Sequence, residues 1–256
     1  DEAQDGDTIL VAPGTWAGVT VDKAVTIVGF GNGSDPATST IFSSGFTVNL
    51  DADAAAGTVG FRNLAVVGAG INAGVDTNIL GNLVIDDVRV EDATESGLMV
   101  SGRKASAAYA AGGVQNVVIT DSTFIDNAQT GANAANLMFF EFDGNATITN
   151  VDASNTVTGG SSAAFGIQFA GFDGPLFDQL TPAPGSAVGS YDVLTPMGTV
   201  TIDGLDVTGA TRKASFYVQG YTDMSGFSVI NSTVNTTSGW GKPVIIDPMA
   251  DQFPTG

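Results

Sequence analysis

The sequence predicts an all-β solenoid made of short parallel strands, and three observations favour this fold class. An eight-residue pattern recurs along the chain, with apolar residues usually at positions one, three and eight and Asn, Asp or Gly at position five. Successive fifth positions lie 24 to 34 residues apart, except for one interval of 54 residues, and one coil of a solenoid needs about two dozen residues. Glycine accounts for 34 of the 256 residues, which suits many tight turns and disfavours helices.

The repeat predicts an inward column of side chains and a column of turns. Full copies occupy residues 59–66, 83–90, 117–124, 146–153, 200–207 and 227–234, and a truncated copy occupies 25–30. The third positions, expected to stack inward on one another, are Ile27, Phe61, Ile85, Ile119, Ile148, Ile202 and Val229. The fifth positions, expected to turn the chain in a left-handed or bridging conformation, are Gly29, Asn63, Asp87, Asp121, Asn150, Gly204 and Asn231. We therefore predict about seven coils in a single domain spanning residues 1–256.

Apolar runs outside the repeat predict the remaining strands. A strand followed by a Pro-Gly turn is expected within 8–16, and further short strands at 18–21 and 25–30. Each repeat copy is followed by a candidate second strand, at 46–50, 97–100, 137–142, 166–169, 215–219 and 244–246, with a weaker candidate at 78–80. The 54-residue interval is explained by a loop insertion at 172–197, which lacks the repeat and contains four prolines.

The opening of the chain resembles a known family. The segment GDTILVAPGTW at 6–16, followed by GVTVDKAVTIVGFG at 18–31, is similar to the first coil of right-handed parallel β-helix proteins of the pectate-lyase-like superfamily. This resemblance implies that an amphipathic helix caps the first coil and that the chain then winds upward in short strands. On this basis we expect residues 1–7 to be the remnant of such a cap, with a helix ending at Gly6.

Composition excludes several classes of partner and site. The 27 acidic and 8 basic residues give a formal net charge of −19, which repels phosphate backbones and anionic membranes, so we expect neither nucleic-acid binding nor membrane insertion. The absence of Cys and His excludes disulfides, thiolate metal sites and histidine-dependent triads. The acidity suits a salty or calcium-containing medium, although solubility alone also accounts for it, and we expect an extracellular or cell-surface location. The start at Asp1, without Met, indicates a processed product or an excised domain.

Candidate catalytic residues lie in loops that follow the second strands, because these loops emerge along one edge of a regular solenoid. Arg103 and Lys104 form one of two adjacent basic pairs. In β-helix lyases, which the resemblance brings into consideration, Arg or Lys often removes the proton beside a uronate carboxylate, with calcium assisting. A solvated loop pair is the other interpretation. Asp86 and Asp87 form an adjacent carboxylate pair, but the repeat assigns Asp87 to a turn and Asp86 to the outer surface.

The same edge contains candidate calcium ligands and sugar-stacking residues. Carboxylates at alternate positions, Asp51 with Asp53 and Glu141 with Asp143, are of the type that converges on a hard cation; solvent-facing acids are the alternative interpretation. Exposed aromatic rings stack on sugar rings, and the candidates on outer loops are Tyr109, Tyr191 and Tyr221.

Two function hypotheses follow. The first is an extracellular structural or adhesive module, a unit of a cell-surface adhesin, surface layer or self-assembling filament, with calcium or polysaccharide as ligand. Its partners are copies of itself, stacked end to end or laterally, or neighbouring domains of a longer chain, because the open ends of a solenoid expose unpaired backbone. The alternative is a calcium-assisted polysaccharide lyase or related enzyme acting on an acidic glycan, which rests on the family resemblance.

Overall fold

The all-β class predicted from the repeat is confirmed. The computed structural model of the chain describes residues 3–73, 78–102, 113–128, 134–156, 163–171, 197–221, 223–238 and 242–247. These residues form β-strands, turns and irregular segments, and none of them is helical. Within these ranges there is consequently no apolar helix of membrane-spanning length.

Short runs rich in Val, Ile and Thr, with apolar residues at alternate positions, explain where the strands form. In chain order they are β1 (Thr8–Leu10), β2 (Gly14–Trp16), β3 (Thr20–Val21), β4 (Thr26–Val28), β5 (Thr40–Phe42), β6 (Phe46–Val48), β7 (Ala54–Val67), β8 (Ile71–Ala73), β9 (Ile79–Glu91), β10 (Leu98–Ser101), β11 (Gly113–Thr120), β12 (Thr123–Ile125), β13 (Ala135–Phe140), β14 (Asn145–Asp152), β15 (Phe165–Ala170), β16 (Val200–Thr211), β17 (Ala214–Gln219), β18 (Phe227–Ile230), β19 (Thr233–Ser238) and β20 (Val244–Asp247).

The strands form two sheets, and neighbours within each sheet are parallel and distant in sequence. Sheet A has twelve strands along the order β1-β4-β7-β9-β11-β14-β16-β18, with β2, β5, β12 and β19 off this path. Sheet B has eight strands in the order β3-β6-β8-β10-β13-β15-β17-β20. Every paired register is parallel. The chain therefore crosses to the other sheet and back before it adds each new layer.

The predicted inward column is confirmed by the strand register. Ile27, Phe61, Ile85, Ile119, Ile148, Ile202 and Val229 pair with one another in this order across sheet A. The first six are at most 5% exposed. Sheet B faces them across one shared core, in which the rings of Phe46 and Phe61 lie 4.7 Å apart. The core thus runs between the sheets from layer to layer, and it reaches solvent at Val229.

The predicted turn column is confirmed at six of its seven positions. Asn63, Asp87, Asp121, Asn150 and Asn231 have φ between 48° and 54°, and Gly204 has φ 73°. Neighbouring turns are linked by side-chain amides, since Asn150 Nδ2 donates to Asp121 Oδ1 at 3.0 Å. Gly29, the seventh predicted position, is required for lack of space: a Cβ there would lie 2.4 Å from the carbonyl oxygen of Asn63.

The turn residue Asp87 is expected to make stability depend on pH. Burial, and then repulsion from Asp86 and Asp121, raise the pKa of its carboxyl group. The folded protein therefore binds this proton more tightly than the unfolded chain. The protonated Asp87 carboxyl stabilises the fold at low pH, and this stabilisation is lost as pH rises through the folded-state pKa. Asp87→Asn keeps the tolerance for left-handed φ and the oxygen that accepts from Asn32 Nδ2 at 2.8 Å.

We expect Asp87→Asn to raise the free energy of unfolding at pH 7 by at most about 0.5 kcal/mol, because the charge is screened by solvent. At pH 3, where the carboxyl is protonated in both states, the substitution should have no effect. Urea unfolding at the two pH values measures this difference. An equal gain at both pH values would show that the effect is not electrostatic.

Two local predictions are wrong. Residues 3–7 form a turn instead of the expected helix: the Asp7 N–H donates to the Gln4 carbonyl at 3.0 Å, and Gly6 has φ 90°. The Gly6 N–H is held by the Ala24 carbonyl at 2.8 Å, so tertiary contact with the first layer overrides the helical propensity. Residues 78–80 overlap β9 in sheet A, and the sheet B strand of that layer is β8, whose central residue Asn72 interrupts the apolar run.

Candidate functional site

Large apolar side chains are exposed at the two opposite ends of the sheets. Among the described residues they are Ile9, Leu10, Trp16 and Val19 at one end and Val229, Ile230, Val244 and Ile246 at the other; Phe30, which is also exposed, follows the internal strand β4. We call these surfaces the β1 end, formed by β1 to β4 and the residues beside them, and the β18 end, formed by β18, β19 and β20. Because the intervening layers bury their inward side chains, the two ends are the candidate functional site of the described part of the chain.

At the β1 end the core opens into a cavity of about 440 Å³. Its apolar lining includes Ile9, Val21 and Ile27. Lys23 and Asp51 also line it, with Nζ and Oδ2 2.5 Å apart. Ile9 and Val21 belong to the first strands of the two sheets, so the cavity lies against the first layer.

At the β18 end the last layer covers the core incompletely. The Phe227 ring packs on Phe169 and Phe216, with centroid distances of 5.7 Å and 6.1 Å. Val244 and Ile246 of β20 are 46% and 51% exposed, although the β17 residues paired with them, Phe216 and Val218, are at most 2% exposed. The apolar columns of both sheets therefore end in solvent at this surface.

The backbone at both ends is also open. In the described part of the chain, β1 pairs only with β4 and β3 only with β6, while β18 pairs only with β16 and β20 only with β17. Each terminal strand thus presents a row of N–H and C=O groups on its outer side. Such an edge is a template for another strand, so each end can extend both sheets at once.

The predicted calcium ligands Asp51 and Asp53 bind different protein groups. Asp51 forms the ion pair with Lys23 described above, and Asp53 Oδ1 accepts from the Ile79 N–H at 3.0 Å. The two carboxylates are therefore engaged separately, and their convergence on a cation stays a prediction. No group of three or more acidic residues placed to hold a metal ion occurs among the residues described by the structure.

The structure brings Tyr221 together with the segment that contains Glu141 and Asp143. The Tyr221 hydroxyl donates to the carbonyl of Phe142, between the two acids, at 2.9 Å. Burial, and then the negative charge of Asp143, raise the pKa of Tyr221 above its ordinary value. Tyr221 is 0% exposed and Glu141 is 1% exposed, so the expectation that they face solvent on an outer loop is wrong.

The physical reason is that β13 is followed by a left-handed residue, Glu141, with φ 49°, and the next residue, Phe142, packs in the core. Tyr221 packs with that core and satisfies the Phe142 carbonyl. These residues hold the end of β13 to the end of β17, a structural function that periodicity alone does not reveal.

The remaining predicted site residues, Arg103, Lys104, Tyr109 and Tyr191, lie outside the described residues, as does the insertion from 172 to 196. Met197, its last residue, is 4% exposed and belongs to the core.

Sequence reasoning missed a buried amide network between the sheets. Asn136 Nδ2 donates to the carbonyls of Ala153 and Ser154, both at 2.9 Å, and its Oδ1 accepts from the Asn127 N–H at 2.9 Å. Asn127 Nδ2 in turn donates to the Val90 carbonyl at 3.0 Å. Asn127 and Asn136 are 0% exposed. The available signal was weak: Asn127 follows the repeat copy 117–124 by three residues.

A second set of asparagines lies on sheet A immediately before three repeat copies. Asn116 Nδ2 donates to Asn82 Oδ1 at 3.3 Å, and Asn145 Nδ2 donates to Asn116 Oδ1 at 3.0 Å. The strand register pairs these three residues in the same order. Asn at the position before 83, 117 and 146 was visible in the sequence and extends the repeat by one residue.

Comparisons with protein-family models, with curated proteins and with solved structures found no match to this chain.

Proposed function

We propose that the chain is a structural or adhesive module of an extracellular or cell-surface assembly, folded as a right-handed parallel β-helix of about seven coils with one long insertion. The alternation of the chain between two parallel sheets supports the β-helix, as do the columns of equivalent residues in successive layers. Right-handed connection is the usual hand of parallel crossovers. The resemblance of residues 6–31 to the pectate-lyase-like superfamily is part of the same proposal.

The observation that carries the function is the coincidence of exposed apolar side chains with open strand edges at both ends. Either feature alone favours association. Together they describe a module to which further parallel layers can be added at each end. We propose copies of itself or neighbouring domains of a longer chain as its partners, in an adhesin, a surface layer or a filament.

The charge of the module sets the conditions for assembly. At −19 per chain, two modules repel one another at low ionic strength, and this repulsion is screened over about 8 Å at physiological salt. An extracellular medium with sodium and calcium ions suits such a surface. We propose calcium as a counter-ion of the acidic surface, and polysaccharide as a further ligand, with Tyr109 and Tyr191 as the stacking residues that the sequence predicts.

We expect the purified chain to self-associate as protein concentration and salt concentration rise. Sedimentation velocity at ~10 and ~300 mM NaCl should show larger species at the higher salt, because screening removes the repulsion between acidic modules. Calcium chloride should be compared with sodium chloride at matched ionic strength, so that specific cation binding is separated from screening. A monomer under every condition would contradict self-association and leave neighbouring domains of a longer chain as the proposed partners.

Incubation with pectate and alginate serves as the complementary measurement. A structural module leaves the absorbance of these glycans unchanged. The appearance of unsaturated products, with or without calcium, would replace the proposed function by the lyase alternative, for which Arg103→Ala and Lys104→Ala are the first variants to measure.

A further inference from the structure

We propose that the β18 end binds the β1 end of a second copy of the same chain, head to tail and in register, so that both sheets continue from one copy into the next. This inference rests on the proposed assembly function and specifies its partner and its geometry. It follows from comparing the two ends column by column.

The first matching column is the inward column of sheet A. Ile9 pairs with Ile27 at its start, and Ile202 pairs with Val229 at its finish. Ile9 is 36% exposed and Val229 is 40% exposed, whereas the six residues between them are buried. A second copy placed head to tail would set its Ile9 directly beside Val229, and each would bury the apolar surface that the other leaves open.

The second matching column lies on the outer face of sheet A. It begins at Leu10 and ends at Ile230, and the residues between them in register are Val28, Arg62, Asp86, Thr120, Thr149 and Asp203. Leu10 is 73% exposed and Ile230 is 50% exposed. Large apolar residues thus occupy the two ends of a column whose middle is mostly charged or hydroxylated, which is unexpected for a solvent-facing column and is explained if the two ends meet.

The third matching column belongs to sheet B. Val244 pairs with Phe216, and the column continues through Ile167, Leu137, Leu98 and Ile71 to Phe46. Val19 precedes β3 by one residue and continues this register, and its carbonyl accepts from the Thr47 N–H at 3.3 Å. Val19 is 51% exposed and Val244 is 46% exposed. The two sheets therefore give the same register independently.

The cavity at the β1 end favours the same partner. Ile9, Val19 and Val21 line it, and these residues begin the columns that end at Val229, Val244 and Ile246. Head-to-tail docking would place these three exposed side chains over the cavity. Because the surfaces in contact are different, this contact leaves a free end on each copy and generates an open filament.

The absence of native cysteine allows a direct test by disulfide trapping. Leu10→Cys and Ile230→Cys are prepared as separate chains, mixed at ~300 mM NaCl and oxidised with copper phenanthroline. Neighbouring strands lie about 4.8 Å apart, within the Cα range of disulfides, roughly 4.4–6.8 Å. The mixture should give a covalent dimer several-fold above either chain alone. Val19→Cys mixed with Val244→Cys tests sheet B in the same way.

Crossed mixtures are the matched controls. Leu10→Cys with Val244→Cys, and Val19→Cys with Ile230→Cys, combine the two ends but not the same column, and they should give at most background dimer. Circular dichroism of each variant shows that it is folded. Dimer formed equally by the crossed mixtures would overturn the register.

The remaining outcomes separate this inference from the proposed function. Dimer formed by single variants alone would mean that like ends meet, which overturns the head-to-tail geometry and leaves an end-joined assembly standing. Sedimentation that shows large species without any trapped dimer would mean lateral association and would overturn the inference alone. A monomer that cannot be trapped in any mixture would overturn this inference and also the self-assembly that the proposed function includes.

Discussion

Asn136→Ala is expected to lower the free energy of unfolding by about 3–5 kcal/mol, among the largest effects of any single substitution in the described chain. The side chain is 0% exposed. It satisfies the carbonyls of Ala153 and Ser154 and the N–H of Asn127. Truncation leaves the Ala153 carbonyl and the Asn127 N–H buried without this partner, whereas the Ser154 carbonyl keeps the Asp126 N–H at 3.3 Å. Each unsatisfied buried group costs about 1–3 kcal/mol.

The position of Asn136 in the fold explains why water cannot replace it cheaply. Asn136 lies in β13 of sheet B, and the carbonyls that it binds follow β14 of sheet A. Its amide therefore spans the corner between the sheets, where the backbone leaves one sheet before entering the other. The corner has polar backbone groups that no strand pairing satisfies, and a buried amide supplies both a donor and an acceptor for them.

Urea unfolding followed by circular dichroism measures this cost. Asn145→Ala is the matched control, because Asn145 also bonds to another asparagine, with Nδ2 3.0 Å from Asn116 Oδ1, but lies exposed on sheet A. Water can replace its bonds, so we expect a loss below about 1 kcal/mol. Equal losses for the two variants would show that burial of the amide network does not contribute to stability.

The contrast between these two asparagines also shows what a repeat reveals. The turn residues Asn63 and Asp87 were predicted correctly because six successive layers impose the same left-handed bend, so the requirement recurs at a fixed place in the pattern. The inward residue Phe61 was predicted for the same reason. The same local constraint applies in each stacked layer, so the same residue types recur at the same place in each copy of the pattern.

Features that occur in only one layer produce no recurring pattern in the sequence and could not be predicted from it. The Asn136 network depends on backbone groups at a single corner, and the burial of Tyr221 depends on how Phe142 turns inward. The turn at Gly6 is set by its bond to Ala24 across the first layer. In each case the decisive partner is distant in sequence and outside the pattern, so composition and spacing do not reveal it.

The residues at the exposed ends could be predicted only in part from the sequence. The repeat identified Val229 as a member of the inward column, and the apolar run within 8–16 placed Ile9 and Leu10 in the opening strand. Which members of a column remain in solvent depends on where the sheets stop, which only the strand order shows. The candidate site therefore consists of residues of ordinary core type, and their location at the edges makes them candidates for binding.

The second large effect is expected for Phe61→Ala, with a loss of about 3–5 kcal/mol in the free energy of unfolding. Phe61 is 0% exposed, with Ile27 and Ile85 as its register neighbours and the Phe46 ring 4.7 Å away. These neighbours are held by strand pairing on both sides, so the structure cannot collapse into the space that truncation leaves. Urea unfolding measures the loss, and a value below about 1 kcal/mol would contradict a close-packed core.

Val229→Ala is the matched control, because it truncates the same column where that column reaches solvent. Val229 is 40% exposed, so the monomer should lose no more than about 1 kcal/mol.

In a head-to-tail assembly, however, Val229 lies beside Ile9 of the next copy, and its position becomes as buried as that of Phe61. Truncation should then weaken association about fivefold, which corresponds to about 1 kcal/mol of lost apolar burial. If Val229→Ala leaves the monomer stable but weakens association, the column is completed by the next copy. If the variant associates as strongly as the unsubstituted protein, Val229 stays in solvent.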